Sequence, residues 1–429
     1  MKCLIVNFFV PLHSNSSEWN MKTTIHTNGN EVIIRLQGRL DTSTSPAVSA
    51  EIDSQLSAFN FAESEGVSSL SVDASQLEYI SSSGLRILLS LAKRCRNFRI
   101  KDALPQVYEV LDTTGFTKIM TVERAIRQLS VDGCPMIGAG GVGKVYRLDG
   151  DTIIKVFREG TTMDEVRREI TMSKEAFVLG MPTAISFDVV RVMPSSEGEA
   201  ECYGLVYELL RAETLSVVVK NHPESLDTYA RKYAELFRQL HGIEVSQGGN
   251  VPSAIKTVRQ QVEHIRRYFP QEKTDMLLHI IDSVPDGNRL LHMDLQTKNA
   301  MMQGDELMLI DMGEVGYGHP LLDLGNAYSA MVSFVGEYEK VIGMPRELGK
   351  RLWDLTIDYY FEGQPADVVA ERKAQIEVMG CVRNFSWLSL SDSFPEEVVN
   401  ECKALFDERV TKRYDYIMEV CKTFENWTL

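Results

Sequence analysis

The amino-acid sequence predicts a two-domain α/β chain, a small α/β unit followed by a bilobal α+β unit whose C-terminal lobe is helical. Three observations carry this. A chain of 429 residues exceeds one ordinary hydrophobic core, and its 44% hydrophobic content is a globular value. Residues 31–92 alternate strand-like and helix-like patterns. From about residue 131, a glycine-rich hairpin and a lysine-bearing strand precede a polar loop carrying Asp and Asn, and residues 324–429 are long enough for several helices. The expected division is an N-terminal extension (1–20), a first domain (21–130), an N-lobe (131–210) and a C-lobe (211–429). The boundary falls at Ser130-Val131-Asp132-Gly133-Cys134-Pro135, where helix signal stops. No internal repeat or low-complexity stretch interrupts the chain.

The start, Met1 to Leu12, has a weak signal-peptide flavour, but its apolar run contains Asn7, lacks a small-residue cleavage site and is too short to span a bilayer. Because Met21 immediately precedes the first domain, residues 1–20 read as an upstream extension or a product of start-site choice. Glu31–Gln37 and Ser69–Asp73 read as strands. Ser45 followed by Pro46 reads as a helix N-cap and first-turn proline, opening a helix to about Ala58. Then Ile80-Ser81-Ser82-Ser83-Gly84 leads into the apolar run Leu85–Ala92, placing three hydroxyls at one helix start, a natural anion site.

This segment, with Gly38-Arg39-Leu40-Asp41 before it and Leu111–Ile119 after it, resembles a STAS domain, the fold of anti-sigma factor antagonists, over roughly residues 21–125. In that family the serine after an Asp, in Asp-Ser-Ser/Thr-Gly, is phosphorylated by a partner kinase, which switches binding. Ser81 stands here where the Asp would be, and Ser82 occupies the phospho-acceptor position. The resemblance implies a protein partner and a phosphosite at Ser82; the alternative is that Ser81 to Ser83 simply cap the helix.

In the second domain, Ile137-Gly138-Ala139-Gly140-Gly141-Val142-Gly143-Lys144-Val145 fits G-x-G-x-x-G-x-V, and Asp151–Phe157 follows as a strand bearing Lys155. Glycines at 138, 140 and 143 let backbone approach phosphates, and Lys155 would neutralise their oxygens. The loop also fits G-x-x-x-x-G-K, but Val145 stands where a P-loop needs Ser or Thr, and the chain turns at Asp149-Gly150-Asp151 like a hairpin instead of opening a helix. The first helical pattern downstream, Met163–Met172, offers Glu169, and Glu165 as second choice, to aim Lys155. Tyr203–Leu210 reads as an apolar strand ending at an interlobe hinge, where backbone around Glu208 to Leu210 would read an adenine edge.

The most informative segment is Leu291-His292-Met293-Asp294-Leu295-Gln296-Thr297-Lys298-Asn299, with Asp311 after the apolar run Glu306–Ile310. Moving a γ-phosphoryl group takes a carboxylate at the acceptor and oxygen ligands for Mg²⁺. His-x-Asp-x-x-x-x-Asn plus a later Asp supplies all three, although each residue alone also suits a turn or a strand end.

From about residue 131 the chain therefore resembles the aminoglycoside phosphotransferase and choline kinase-like branch of the protein-kinase-like fold. That resemblance implies ATP and Mg²⁺ as cofactors, Asp294 as catalytic base, Asn299 and Asp311 as metal ligands, Lys155 paired with Glu169, and Asp323 in a chiefly structural role. Between Asp311 and Asp323 there is no peptide-docking element, so the expected acceptor is a small molecule bound by C-terminal helices. Aromatics there, Trp353, Tyr359, Tyr360, Phe361, Phe385 and Trp387, read mostly as core.

A formal charge of −15 without a basic stripe argues against a nucleic-acid partner. Seven scattered cysteines, odd in number and without metal-ligand spacing, fit a reducing cytosol. The expected function is an ATP-dependent phosphotransferase with a STAS regulatory or docking module, cytoplasmic and without a membrane partner. The alternatives are a signalling kinase acting on a protein or its own Ser82, and a non-catalytic nucleotide sensor.

Overall fold

Val32, Ile34, Leu36 and Leu40 alternate with more exposed neighbours along Glu31–Leu40, so one face of that strand is buried and organises the first unit. The computed structural model describes residues 21–59, 61, 68–194, 200–246, 248–391 and 393–427, and the expected extension at 1–20 lies outside them. The chain divides into two compact units between Arg127 and Gln128.

The first unit contains β1 (Lys22–Asn28), β2 (Glu31–Leu40), α1 (Ser45–Leu56), β3 (Ser69–Ile80), α2 (Ser82–Arg94), β4 (Phe98–Ala103), α3 (Pro105–Thr113) and β5 (Thr121–Arg124). The strands form one sheet in the order β1-β2-β3-β4-β5. Only the β1–β2 hairpin is antiparallel. Two local expectations need correction. β3 runs on past Asp73 to Ile80, because register shifts against β2 break the strict alternation that a sequence scan follows while Ala74, Leu77 and Ile80 remain buried. Helix α1 has Thr44, not Ser45, at its N-cap position, without a side-chain cap, and stops at Leu56; Asp41 accepts hydrogen bonds from the Ser43 and Thr44 amides at 2.9 and 3.1 Å, setting the entry one residue earlier. Gly84 is required where α2 meets the sheet, since a Cβ there would lie 2.8 Å from both Ile80 and Leu40 side-chain carbons.

The division falls within β6 (Arg127–Leu129), and the second unit continues with β7 (Met136–Ala139), β8 (Gly143–Arg147), β9 (Thr152–Phe157), α4 (Met163–Val178), β10 (Ser186–Val192) and β11 (Cys202–Glu208). Their sheet has the order β6-β10-β11-β9-β8-β7. The β8–β9 connection is the antiparallel hairpin expected from Asp149-Gly150-Asp151, whose Asp149 carboxylate accepts the Asp151 and Thr152 amides, both at 2.8 Å.

The helical lobe follows as β12 (Glu213–Thr214), α5 (Leu215–Asn221), α6 (Leu226–Gly242), α7 (Ala254–His264), α8 (Gln271–Asp282), β13 (Arg289–Leu291), β14 (Ala300–Gln303), β15 (Glu306–Leu309), β16 (Gly316–Gly318), α9 (Pro320–Tyr328), α10 (Tyr338–Ile342), α11 (Arg346–Tyr360), α12 (Ala366–Ser386), α13 (Glu396–Arg409) and α14 (Tyr414–Cys421). Two small sheets, β12-β14-β15 and β13-β16, hold the polar loops against these helices. Trp353, Tyr360, Phe361 and Phe385 are buried in the core, whereas Tyr359 and Trp387 are partly buried at its edge. Among the described residues no helix is long and apolar enough to cross a membrane.

Candidate active site

Lys155 sits mid-strand on β9, between β8 and β11, where a charged side chain must be paired. Its ammonium donates to both oxygens of Glu169 at 2.9 Å and to Asp311 Oδ1 at 2.8 Å. Burial alone would lower its pKa, but the Asp311 and Glu169 charges outweigh burial and raise it, so the lysine stays charged. The two glutamates of α4 are thereby distinguished. Glu169 is buried and faces Lys155, whereas Glu165 closes a capping box with Thr162 at the helix start. Tyr207 on β11, which sequence reasoning missed, donates its hydroxyl to Glu169 Oε1 at 2.9 Å.

The glycine-rich loop is the β7–β8 hairpin, closed by a Gly140 amide to Gly143 carbonyl bond of 2.9 Å. Gly143 admits no side chain, because a Cβ would fall 2.1 Å from the Val156 carbonyl oxygen across the ladder. Gly138 would tolerate a Cβ at ordinary contact with Val145, and at Gly140 a Cβ would meet nothing within 4 Å. That open side is where a bulky anion has room. β11 ends on exposed Glu208, and the Leu209 amide donates to the Asp151 carbonyl at 2.7 Å, fixing the segment that leads through Leu210 to the helical lobe.

Asp294 lies in the loop between β13 and β14, whose shape is imposed from below. Buried Asp323 of α9 accepts the His292 and Met293 amides at 3.0 and 2.8 Å and the His241 Nε2–H at 3.2 Å. Asn326 donates to the Met293 carbonyl at 2.7 Å, so the loop holds Met293 at φ 66°, a left-handed conformation unusual for that residue. The His292 ring spans the loop, accepting the Asp294 amide at Nδ1 and donating from Nε2 to the Ile310 carbonyl at 3.1 Å.

The two oxygens of Asp294 differ. Oδ2 is engaged by Asn299 Nδ2 at 3.0 Å and by Gln296 Nε2 at 3.4 Å. Among the described residues the ion-pair partner of Oδ1 is the Arg383 guanidinium of α12, at 3.5 Å. Burial pushes the Asp294 pKa up, and Arg383 opposes that shift. Sequence reasoning missed Arg383 because nothing local marks it.

Asn299 commits its amide nitrogen to Asp294, 2.8 Å from its carbonyl oxygen and 3.0 Å from Oδ2, which leaves Oδ1 as the atom for a cation. Asp311 is held at φ 61° just after β15, with its side chain 35% exposed. Among the described residues no three His, Cys, Asp or Glu side chains gather into a metal site. One amide oxygen and one carboxylate still suit Mg²⁺, which takes few protein ligands and completes its shell with phosphates and water. A cavity of about 380 Å³ opens among α9, α11 and α12, lined by Tyr328, Trp353, Ile357 and Glu377 among others. Of the six C-lobe aromatics singled out from the sequence, Trp353 alone lines it. In the first unit, Ser81 caps α2 by accepting the Gly84 amide at 3.4 Å, leaving Ser82 exposed in the first turn.

Comparison with known proteins gives two family matches. Residues 22–129 match the STAS domain, and residues 137–343 match the phosphotransferase enzyme family. A putative anti-sigma factor antagonist, BtrV of Bordetella bronchiseptica, is 30% identical over 106 residues, covering 24% of this chain and 85% of that protein. Among solved structures, a choline/ethanolamine kinase family protein from Mesorhizobium loti is 15% identical with a TM-score of 0.42, covering 68% of this chain and 92% of that one. The streptomycin–ATP ternary complex of APH(2")-IIa is 12% identical with a TM-score of 0.42, covering 70% and 95% respectively.

Proposed function

We propose that the chain, which belongs to the STAS family through residues 22–129 and matches the phosphotransferase enzyme family over residues 137–343, transfers the γ-phosphoryl group of ATP to a hydroxyl or amine of a small molecule. The STAS domain then serves as a regulatory or docking module, and the protein acts in the cytosol, where ATP and reduced thiols coexist. The observation that carries this reading is Asp294, oriented through amide bonds to Oδ2 while Oδ1 makes a loose 3.5 Å pair with Arg383 and keeps lone-pair capacity for an acceptor proton.

In this account Lys155, aimed by Glu169 and Tyr207, orients the nucleotide phosphates beneath the hairpin of Gly138, Gly140 and Gly143. Backbone from Glu208 to Leu210 holds the adenine edge. Asn299 and Asp311 would hold Mg²⁺, which would supply positive charge against the phosphate oxygens. Asp294 Oδ1 accepts the proton of the acceptor hydroxyl as its oxygen bonds to the γ-phosphorus. The bond from that phosphorus to the β–γ bridging oxygen breaks, ADP keeps the electron pair, and the proton passes from Asp294 to solvent.

A second reading has an observation of its own: Ser82 is exposed at the start of α2, and a phosphate there would be favoured by the helix dipole. The deciding experiment incubates the protein with γ-labelled ATP, Mg²⁺ and a small-molecule extract. Label in a small molecule, absent with Asp294→Ala, supports the phosphotransferase and identifies the acceptor by mass. Label on Ser82 replaces that reading with protein phosphorylation, and nucleotide binding without transfer to any acceptor replaces it with a sensor.

A further inference from the structure

A phosphoryl group in flight needs positive charge at its acceptor end as well as at the nucleotide end. Lys155 is committed to the nucleotide side by Glu169 and Asp311. Within the Asp294 loop the only cation is Lys298, and its ammonium is turned away to the Lys340 carbonyl at 2.8 Å. Gln296, two residues after the base, is neutral.

Arg383 fills this gap from another part of the chain. Its guanidinium lies 3.5 Å from Asp294 Oδ1, the oxygen that no amide engages, and its side chain is 16% exposed. Paired charges in full hydrogen-bonding contact sit nearer 2.8 Å, so Asp294 does not saturate this planar fork of five N–H donors. Any acceptor oxygen bonded to Oδ1 is therefore next to the guanidinium.

The position is built and not incidental. Helices α9 and α12 cross so closely that a Cβ on Gly380 would lie 2.8 Å from the Tyr328 ring, and one on Gly325 would lie 2.6 Å from Met379. The residue after Arg383, Asn384, accepts the Ser329 and Ser333 hydroxyls at 2.7 and 2.8 Å, tying α12 to a π-helical turn over Ser329–Ser333.

Resting on the phosphotransferase reading above, we propose that Arg383 is a catalytic residue, a cation delivered by α12 that binds the oxygens of the transferred phosphoryl group beside Asp294. It is an arginine supplied in cis to the acceptor side.

The test is calorimetric titration of ADP and Mg²⁺ into the full chain, with and without aluminium fluoride, which mimics the phosphoryl group in transfer. Wild type binds ADP more tightly with fluoride present, by about 100-fold or more. Arg383→Met loses about tenfold or more of that enhancement while MgADP affinity alone stays within about twofold, and Arg383→Lys recovers part of it. Unchanged enhancement in Arg383→Met overturns the proposal. Equal loss for MgADP with and without fluoride also overturns it, because that is the mark of a structural role. If Arg383→Met does not fold, Arg383→Gln and Arg383→Lys give the same comparison. Wild type that binds MgADP without any fluoride enhancement removes Arg383 from the chemistry but leaves nucleotide binding intact, whereas wild type that binds no ADP refutes the phosphotransferase reading itself.

Discussion

His319 ties the stability of the second unit to pH. The residue caps α9 through a neutral nitrogen, Nδ1 accepting the Leu321 amide at 3.2 Å, and its ring lies edge-on to Trp427 with centroids 5.4 Å apart. It is 7% exposed, and burial, with His241 and Arg372 nearby, pushes its pKa down to about 4 from the ordinary 6.5. The unfolded chain takes up a proton below about pH 6.5, while the fold refuses it until about pH 4, so acid favours unfolding throughout that window. At about 1.36 kcal/mol per pH unit the gap amounts to about 3 kcal/mol, absent at pH 7 and fully expressed by pH 4. His319→Asn keeps an N-cap acceptor and removes the titration. Denaturant unfolding followed by tryptophan fluorescence suits the test, since three of the four tryptophans, Trp353, Trp387 and Trp427, lie in the second unit. The variant should gain on wild type by about 3 kcal/mol between pH 7 and pH 4. Parallel stability curves for the two proteins would refute the reasoning.

Two further substitutions probe the nucleotide side. Gly143→Ala should destabilise the fold by about 1–3 kcal/mol, because its Cβ meets the Val156 carbonyl, whereas Gly140→Ala should leave stability unchanged and weaken ATP binding by occupying the open side of the hairpin; paired melting and ATP titrations check both. Tyr207→Phe removes a hydrogen bond to the buried Glu169 carboxylate and should cost about 1.5–3 kcal/mol in denaturant unfolding.

The elements that a short stretch of chain specifies were legible in the sequence. The Lys155 strand, the turn at Asp149, the capped start of α2 and the grouping of Asp294 with Asn299 depend on residues a few positions apart, so spacing and residue type reveal them. The loop backbone was less so. Nothing local in Met293 or Asp311 announces a left-handed conformation, which Asp323 and Asn326 impose on Met293 from α9. The preference for Glu169 over Glu165 holds: Glu169 is buried against Lys155, while Glu165 is taken up by the capping box at Thr162. Tyr207 and Arg383, by contrast, were invisible. Each reads as an ordinary strand or helix residue until folding brings it beside a carboxylate. In the first unit, the β2–β3 register shifts concealed the second half of β3.

The central claim, that Asp294 is the base of a phosphotransferase and not part of a passive nucleotide sensor, is tested most directly by measuring MgATP affinity and phosphoryl transfer side by side in wild type, Asp294→Ala and Asp311→Ala. The account predicts that Asp294→Ala binds MgATP nearly as wild type does yet loses transfer by about 10²-fold or more, while Asp311→Ala weakens metal-dependent binding itself. Equal transfer by wild type and Asp294→Ala would contradict it.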